Sequence, residues 1–154
     1  MNQFLCQKEN YLPIGLKPQE DYKMDSKLIY LVTCFRGIKD VVTTYFSFID
    51  VFDVIWMPKD NDFVWISFSV GGKLYSDVDG DIKIELYFIY PDNIISSPPI
   101  VVEGKNIQKG DVHFVGTFPM TKFTQIGKYQ LKAKLNGQIL NSANDFYFNV
   151  IKAI

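Results

Sequence analysis

The chain has 154 residues, of which 47% are hydrophobic and 16% aromatic, and its formal net charge is -1. A chain of this length forms one domain with a sizeable core and needs neither metal nor disulfide to fold. The balanced charge disfavours nucleic acid as a partner, because proteins that bind it usually carry a basic surplus. The charge is uneven along the chain: residues 1–104 have 9 Lys and Arg against 15 Asp and Glu (9 − 15 = −6), and residues 105–154 have 7 against 2 (7 − 2 = +5). This asymmetry indicates either a weakly basic face for an acidic partner or chance combined with one lysine-rich strand.

The N-terminal sequence and the cysteines indicate a cytoplasmic protein. Residues 1–9 lack the charged and apolar regions of a secretory signal. No apolar run approaches the length of about 18 residues that spans a membrane, so we expect no membrane partner. Cys6 and Cys34 are the only cysteines, too few for a disulfide framework, and we expect both thiols to be reduced.

Residues 1–25 are predicted to be an irregular N-terminal arm, and residues 26–154 a single β-sandwich domain. The arm mixes charges with Pro13 and Pro18 and shows no sustained hydrophobic period. Its one apolar stretch, Tyr11–Leu16, could cover an edge of the sandwich or pair with another copy of the chain.

Two apolar segments follow the arm. Lys27–Phe35 is apolar on both faces, which is typical of a strand in the middle of a sheet, and Arg36–Asp40 is expected to break it. Val41–Trp56 fits one bent strand, two short strands or a helix, and periodicity alone does not decide between them. Its β-branched and aromatic content favours two strands with a bend near residues 50–53.

The middle and the end of the chain contain further strand patterns, each bounded by turn signals. The predicted strands are Phe63–Val70, closed by Gly71 and Gly72; Ile82–Tyr90, after an Asp79-Gly80 hairpin signal; Val112–Phe118, stopped by Pro119; and Phe146–Ile151. Between them, residues 91–93 are expected to form a turn, and residues 96–99 to start an extended connection.

The clearest local pattern lies at residues 127–138. Tyr129, Leu131, Ala133 and Leu135 alternate with Lys128, Gln130, Lys132 and Lys134, which predicts a strand with one apolar and one cationic face. Asn136-Gly137 then supplies the positive φ angles of a tight hairpin turn. Gly127-Lys128-Tyr129 is similar to the tyrosine corner of immunoglobulin-like sandwiches.

Seven to nine short strands without a convincing helix predict an all-β, antiparallel Greek-key (immunoglobulin-like) β-sandwich. The chain also resembles a family of short uncharacterised bacterial proteins with an immunoglobulin-like sandwich. The residues that carry the resemblance are Lys27–Leu31, Phe48–Asp53 running to Pro58, Tyr90–Asn93, Gly127–Tyr129 and Asn136-Gly137. It implies the fold and adds no activity and no site.

The sequence lacks the residue patterns of common enzymes and metal sites, so we predict no catalytic residue, no cofactor and no enzyme activity. His113 is the only histidine, and no Gly-X-Ser-X-Gly elbow accompanies it. Asp77, Asp79 and Asp81 are weak candidates for a hard cation. However, Gly80 is fourth in that stretch, where an EF-hand loop has glycine at its sixth position, so an acidic hairpin turn is the better interpretation.

What remains is a predicted interaction surface. Aromatic residues with polar tips are the usual anchors of protein interfaces, and the candidates are Trp56, Trp65 and Tyr87. Lys128, Lys132 and Lys134 form a cationic stripe, but Arg36 is the only arginine, which again disfavours nucleic acid. We therefore expect a non-enzymatic binding module, with another protein or a second copy of the chain as partner. The alternatives are a small phage or mobile-element inhibitor or accessory protein, and a carbohydrate-binding sandwich.

Overall fold

A computed structural model describes residues 25–39 and 46–154, and these residues form ten β-strands. The strands are β1 (Lys27–Lys39), β2 (Phe46–Phe52), β3 (Val54–Met57), β4 (Val64–Ser76), β5 (Gly80–Ile89), β6 (Ile100–Ile107), β7 (Gly110–Phe123), β8 (Gly127–Leu135), β9 (Gln138–Ile139) and β10 (Phe146–Lys152). The first sheet has the order β2-β1-β4-β7, and the second has the order β3-β10-β8-β5-β6, with β9 paired to β8. The predicted all-β class is confirmed. The predicted arm lies outside the described residues except for Asp25.

A single hydrophobic core lies between the two sheets, and aromatic rings fill its centre. Phe68 and Phe118 of the first sheet stack at 5.0 Å between ring centroids, and Phe88 of the second sheet lies 5.4 Å from Phe118. Tyr129 and Phe148 stack at 5.2 Å on neighbouring strands of the second sheet. Aromatic pairs at these distances stabilise a core beyond the area they bury. Much of the aromatic surplus of the sequence is therefore structural.

The two local predictions for β8 are confirmed. Tyr129 is fully buried, and its hydroxyl donates to the backbone carbonyl of Gln125 at 2.8 Å, which ties the strand to the preceding connection. Burial raises the pKa of Tyr129 to about 12. Asn136 and Gly137 have φ angles of 49° and 83°, and the chain turns there from β8 into β9.

The strand count and one pairing differ from the prediction. Ten strands occur in the described residues where seven to nine were expected, because β6 follows the residues predicted to start an extended connection and the short β9 follows the turn after β8. One pair is parallel: β3 runs alongside β10, and Asn149 N donates to the carbonyl of Asp53 at 2.7 Å. The predicted split of Val41–Trp56 into two strands is confirmed for residues 46–56, since Asp53 separates β2 from β3.

The Asp79-Gly80 hairpin is a wrong prediction. β4 belongs to the first sheet and β5 to the second, so the segment between them crosses from one sheet to the other. Gly80 has a φ of 111°, which glycine adopts readily at such a change of direction.

Three predicted strand ends are also wrong, because the strands continue through them. β4 runs through Gly71 and Gly72 to Ser76. A Cβ on Gly71 would overlap the ring of Phe48, and one on Gly72 would lie 2.5 Å from Cζ of Phe114. The glycines therefore permit close approach of neighbouring side chains rather than a turn.

The other two continuations lie in β1 and β7. β1 passes Arg36 and pairs with β2 as far as Lys39. β7 passes Pro119 at a register irregularity in its pairing with β4, and an edge strand tolerates proline there.

The end of β1 and the strand β2 fold over the outer face of β4 and β7, the other two strands of the first sheet. We call residues 34–39 and 46–52 the covering hairpin. Gly37 lies against Val115, with a Cβ there only 2.7 Å from Cγ1 of Val115, and the ring of Phe46 stacks on His113 at 6.3 Å. Ser69 alternates with the core residues of β4, so it points outward, yet it is only 4% exposed.

Candidate binding face

On the outer face of the second sheet, no segment of residues 25–39 and 46–154 forms a comparable cover. Along β8, every second residue is buried in the core, so the lysines between them point away from it. The same alternation on β3 and β10 leaves Trp56 at 58% and Tyr147 at 47% exposure. We call this surface the binding face and define it by Trp56, Glu85, Tyr87, Lys128, Lys132, Lys134 and Tyr147.

Five of the six residues predicted for the interaction surface lie on this face. The exception is Trp65, which is on β4 of the first sheet and is 51% exposed. Lys122, opposite Trp65 on β7, lies 5.8 Å from its ring and 4.5 Å from the ring of Phe63. Trp65 therefore belongs to a separate surface cluster.

Two lysines of the binding face lie over tyrosine rings. Lys128 Nζ is 4.1 Å from the ring centroid of Tyr147, and Lys134 Nζ is 5.5 Å from that of Tyr87. Cation–π contacts of this kind contribute about 0.5–1 kcal/mol at exposed sites and hold the ammonium group in place. The rings therefore limit the conformational freedom of both lysines.

The remaining cations of the face are paired with carboxylates. Lys132 Nζ lies 3.9 Å from Asp145, which also accepts from Gln130 Nε2 at 2.9 Å. Lys83 pairs with Glu85 at 3.2 Å. Within the part of the chain that the structure describes, Lys128 and Lys134 form no ion pair.

Tyr87 is not the exposed anchor that the sequence predicted, since it is only 6% exposed. The segment 95–99 lies over its edge and is fixed by Ser96, which donates its N–H to the carbonyl of Phe88 at 2.8 Å and accepts from Phe88 N at 2.9 Å. A shallow cavity of ≈ 250 Å³ remains there, lined by Glu85, Tyr87, Ile95, Ser96, Ser97, Pro99 and Lys134. Burial raises the pKa of Tyr87. Tyr87 is therefore part of the wall of a pocket.

Besides Glu85, Tyr147 is the residue of this face that sequence reasoning missed. It lies between Phe146 and Phe148 in a run of three aromatic residues. Strand alternation could have identified it, because Phe148 and Val150 are both fully buried and Tyr147 must then point outward.

The three aspartates considered for a cation point to different partners. Asp81 accepts from Asn106 N at 3.0 Å and Lys105 Nζ at 3.1 Å, and these two hydrogen bonds lower its pKa. Asp79 accepts from Lys109 N at 2.6 Å, whereas Asp77 is hydrogen-bonded to Ser26. Asp79 and Asp81 thus hold the turn between β6 and β7. No group of three or more metal-ligating side chains occurs among residues 25–39 and 46–154.

His113 is exposed on β7 and is surrounded by aromatic groups. Its Nδ1 lies 3.5 Å from the hydroxyl of Tyr30, and its ring stacks on the ring of Phe46 in the covering hairpin. A hydrolytic triad instead requires a carboxylate on one ring nitrogen and a nucleophile on the other. The contacts of His113 with the described residues do not form that arrangement.

Comparison with known proteins gives little beyond these observations. No family model and no curated protein matches the chain. Among solved structures, it is similar to an alkylpurine DNA glycosylase from Pseudomonas fluorescens bound to DNA containing an abasic site analog, with 9% identity, a TM-score of 0.47, and coverage of 82% of this chain and 30% of that one. It is also similar to a β-glucosidase from Listeria innocua in complex with glucose, with 12% identity, a TM-score of 0.38, and coverage of 81% and 16%. Likenesses this distant carry no functional argument. No helix in the described residues is long and apolar enough to cross a membrane.

Proposed function

We propose that this chain is a non-enzymatic, cytoplasmic protein-binding module that contacts its partner through the binding face. The observation that carries the proposal is the exposure of Trp56 and Tyr147 on one sheet face that no described segment covers, with Lys128 over the ring of Tyr147. Exposed tryptophan and tyrosine are the side chains that most often dominate the free energy of protein association. Covering them would remove a large apolar area from water, while the lysines select the charge of the partner.

The chemistry of the rest of the surface supports a binding role over catalysis. A hydrolase needs a base with an aligned nucleophile and a site that excludes water. His113 is exposed between Tyr30 and Phe46, and the pocket beside Tyr87 is shallow. Both features fit a surface that binds and releases a partner without chemical change.

We also propose that the sandwich is of the immunoglobulin-like Greek-key type. Its strand pairing supports this: β7 returns to pair with β4, and β8 returns to pair with β5, so pairs of strands in both sheets are joined by connections between sheets. The buried Tyr129, bonded to the carbonyl of Gln125, is a further feature of that fold.

The test of the proposed function is a selection of binders from a random-peptide display library against the full chain. Selected peptides should bind the wild type and bind a variant with Trp56→Ala and Tyr147→Ala about tenfold more weakly, because the two rings are the anchors. Trp65→Ala is the matched control: it removes an equally exposed ring from the first sheet and should leave affinity unchanged. Thermal melting checks that each variant folds.

Either of two results would contradict the proposed function. One is that no peptide can be selected. The other is that selected peptides bind the double variant as tightly as the wild type, which would place their contacts elsewhere on the surface.

Carbohydrate binding is the second candidate, because the exposed rings of Trp56 and Tyr147 lie on the same sheet face and sugars stack on such rings. A glycan array with the same two variants distinguishes it from protein binding. Glycans retained by the wild type and lost on the double variant would replace the proposal, whereas binding of peptides alone would support it.

A further inference from the structure

We propose that the partner of the binding face is an extended acidic segment whose carboxylates contact Lys128 and Lys134. This inference rests on the proposed function and states what kind of partner the face accepts. It is carried by the charges of the face, by the way its lysines are held, and by the distance between them.

The first argument is the charge that remains after pairing within the chain. Lys83 and Lys132 form ion pairs with Glu85 and Asp145, and Glu85 also lies opposite Lys134 in the sheet register. The ammonium groups of Lys128 and Lys134 instead lie over tyrosine rings, and a ring face does not neutralise them. Among the described residues, Lys128 and Lys134 are therefore the cations of the face without an ion pair, and both are available to an acidic partner.

The second argument is preorganisation. A lysine side chain loses up to about 2 kcal/mol of conformational entropy when it is fixed in one position. Lys128 and Lys134 are already restrained by Tyr147 and Tyr87, so an incoming carboxylate fixes them at a smaller entropic cost. Solvated lysines without such contacts gain little from surface ion pairs.

The third argument is spacing. Lys128 and Lys134 are on the same side of β8, six residues apart, which corresponds to roughly 20 Å at about 3.3 Å per residue. An extended peptide has the same rise. Carboxylates six residues apart on such a peptide would therefore reach both ammonium groups when it lies along β8.

The pocket beside Lys134 adds a requirement for an apolar side chain. Ile95 and Pro99 form its apolar side, and Ile95 itself is 59% exposed. A leucine-sized side chain next to one of the carboxylates would cover Ile95 and the accessible edge of Tyr87. The segment is thus acidic at two positions and apolar beside at least one of them.

A synthetic nonapeptide tests this inference in solution. It has leucine at both ends, glutamate as its second and eighth residues, and five threonines between them, with blocked termini and a fluorescein label. Its affinity for the full chain is measured by fluorescence anisotropy at low ionic strength, and a second peptide with glutamine in place of both glutamates serves as the uncharged probe.

The expected result is binding of the acidic peptide, weakened about tenfold by Lys128→Glu with Lys134→Glu and weakened also by added salt. The matched control has Lys27→Glu and Lys109→Glu. It changes the net charge equally at two exposed lysines away from the face, and should alter affinity less than twofold.

Three outcomes would overturn the inference: no binding of the acidic peptide, equal binding of the glutamine peptide, or an equal loss of affinity in the control. Its failure is distinguishable from failure of the proposed function. If display-selected peptides depend on Trp56 and Tyr147 but are neutral or basic, the proposed function stands and the acidic partner is excluded.

Discussion

The outer faces of the two sheets differ in how far the described residues bury them. On the first sheet, the covering hairpin lies over Ser69 and Gly71, and both are buried although they point away from the core. On the second sheet, the corresponding positions of β8 hold lysines, and Trp56 and Tyr147 are exposed beside them. Small side chains mark the face that another part of the chain covers, and long charged or aromatic ones mark the face that is left for solvent or a partner.

This difference has a physical reason. A cover made of backbone and aromatic rings can approach a sheet closely only where the side chains of the sheet are short, as at Gly71 beneath Phe48. Lysines on the outside of β8 would hold such a cover away and would lose hydration beneath it. A strand with short outward side chains can therefore be covered, whereas a strand with outward lysines cannot be covered in the same way.

The largest effect is expected from filling the space under the cover. Gly71→Ala places a methyl group where the ring of Phe48 lies, so the hairpin must shift or the ring must change rotamer. We expect a loss of about 3 kcal/mol in the free energy of unfolding, at the upper end of the range for overfilled sites. Urea denaturation measures it.

A double-mutant cycle gives the control for that prediction. Phe48→Ala removes the obstructing ring, so Gly71→Ala should cost at least about 1 kcal/mol less in that background. If the free-energy changes of the two substitutions are additive, Phe48 does not lie on Gly71 in solution. That result would contradict the description of the first sheet as covered by the hairpin.

A smaller effect is expected at the corner that anchors the open sheet from its inner side. Tyr129→Phe removes the hydrogen bond to Gln125 and should cost about 1 kcal/mol at neutral pH. Because the pKa of Tyr129 is raised from 10.0 to about 12, this residue stabilises the fold fully below pH 10 and loses that contribution as the pH rises through 12.

The stability difference between wild type and Tyr129→Phe should therefore shrink between pH 10 and pH 12. Denaturation curves at neutral pH and at several alkaline pH values measure it. A difference that stays constant across this range would mean that the hydroxyl of Tyr129 is not buried.

The smallest effect is expected on the open face itself. Lys132→Ala removes an exposed ion pair with Asp145 at 3.9 Å, and it should change the free energy of unfolding by less than about 0.5 kcal/mol. The same urea titration measures it. A loss above about 1 kcal/mol in the free energy of unfolding would show that the side chains of this face stabilise the fold. The two outer faces would then differ less than we infer.

Local signals in the sequence were sufficient for β8 and its turn. The alternation of Tyr129 and Leu131 with lysines, followed by Asn136-Gly137, requires no knowledge of distant residues. The side of β8 that faces outward, and with it three residues of the binding face, followed from that alternation alone.

The failures at Gly71 and Tyr87 have a different cause, because each depends on a contact with another segment of the chain. From the sequence alone, Gly71 predicts the end of a strand. The structure shows instead that the ring of Phe48 occupies the space that a side chain at this position would need. Tyr87 resembles an exposed anchor until residues 95–99 are found over its edge. Such tertiary contacts are not encoded in local periodicity, so the outward direction of the β8 lysines was predictable and the burial of Tyr87 was not.

The position of β10 has a consequence for how this chain is made. β10 lies between β3 and β8 in the second sheet and is the one strand among the described residues that pairs with β3, so this pairing forms only after residues 146–152 have left the ribosome. Until then, Ile55 and Met57, which end up 3% and 1% exposed, remain accessible on the nascent chain to chaperones and proteases. Synthesis interrupted before residue 146 would leave β3 unprotected, and the cell could recognise the unfinished chain by that short apolar segment.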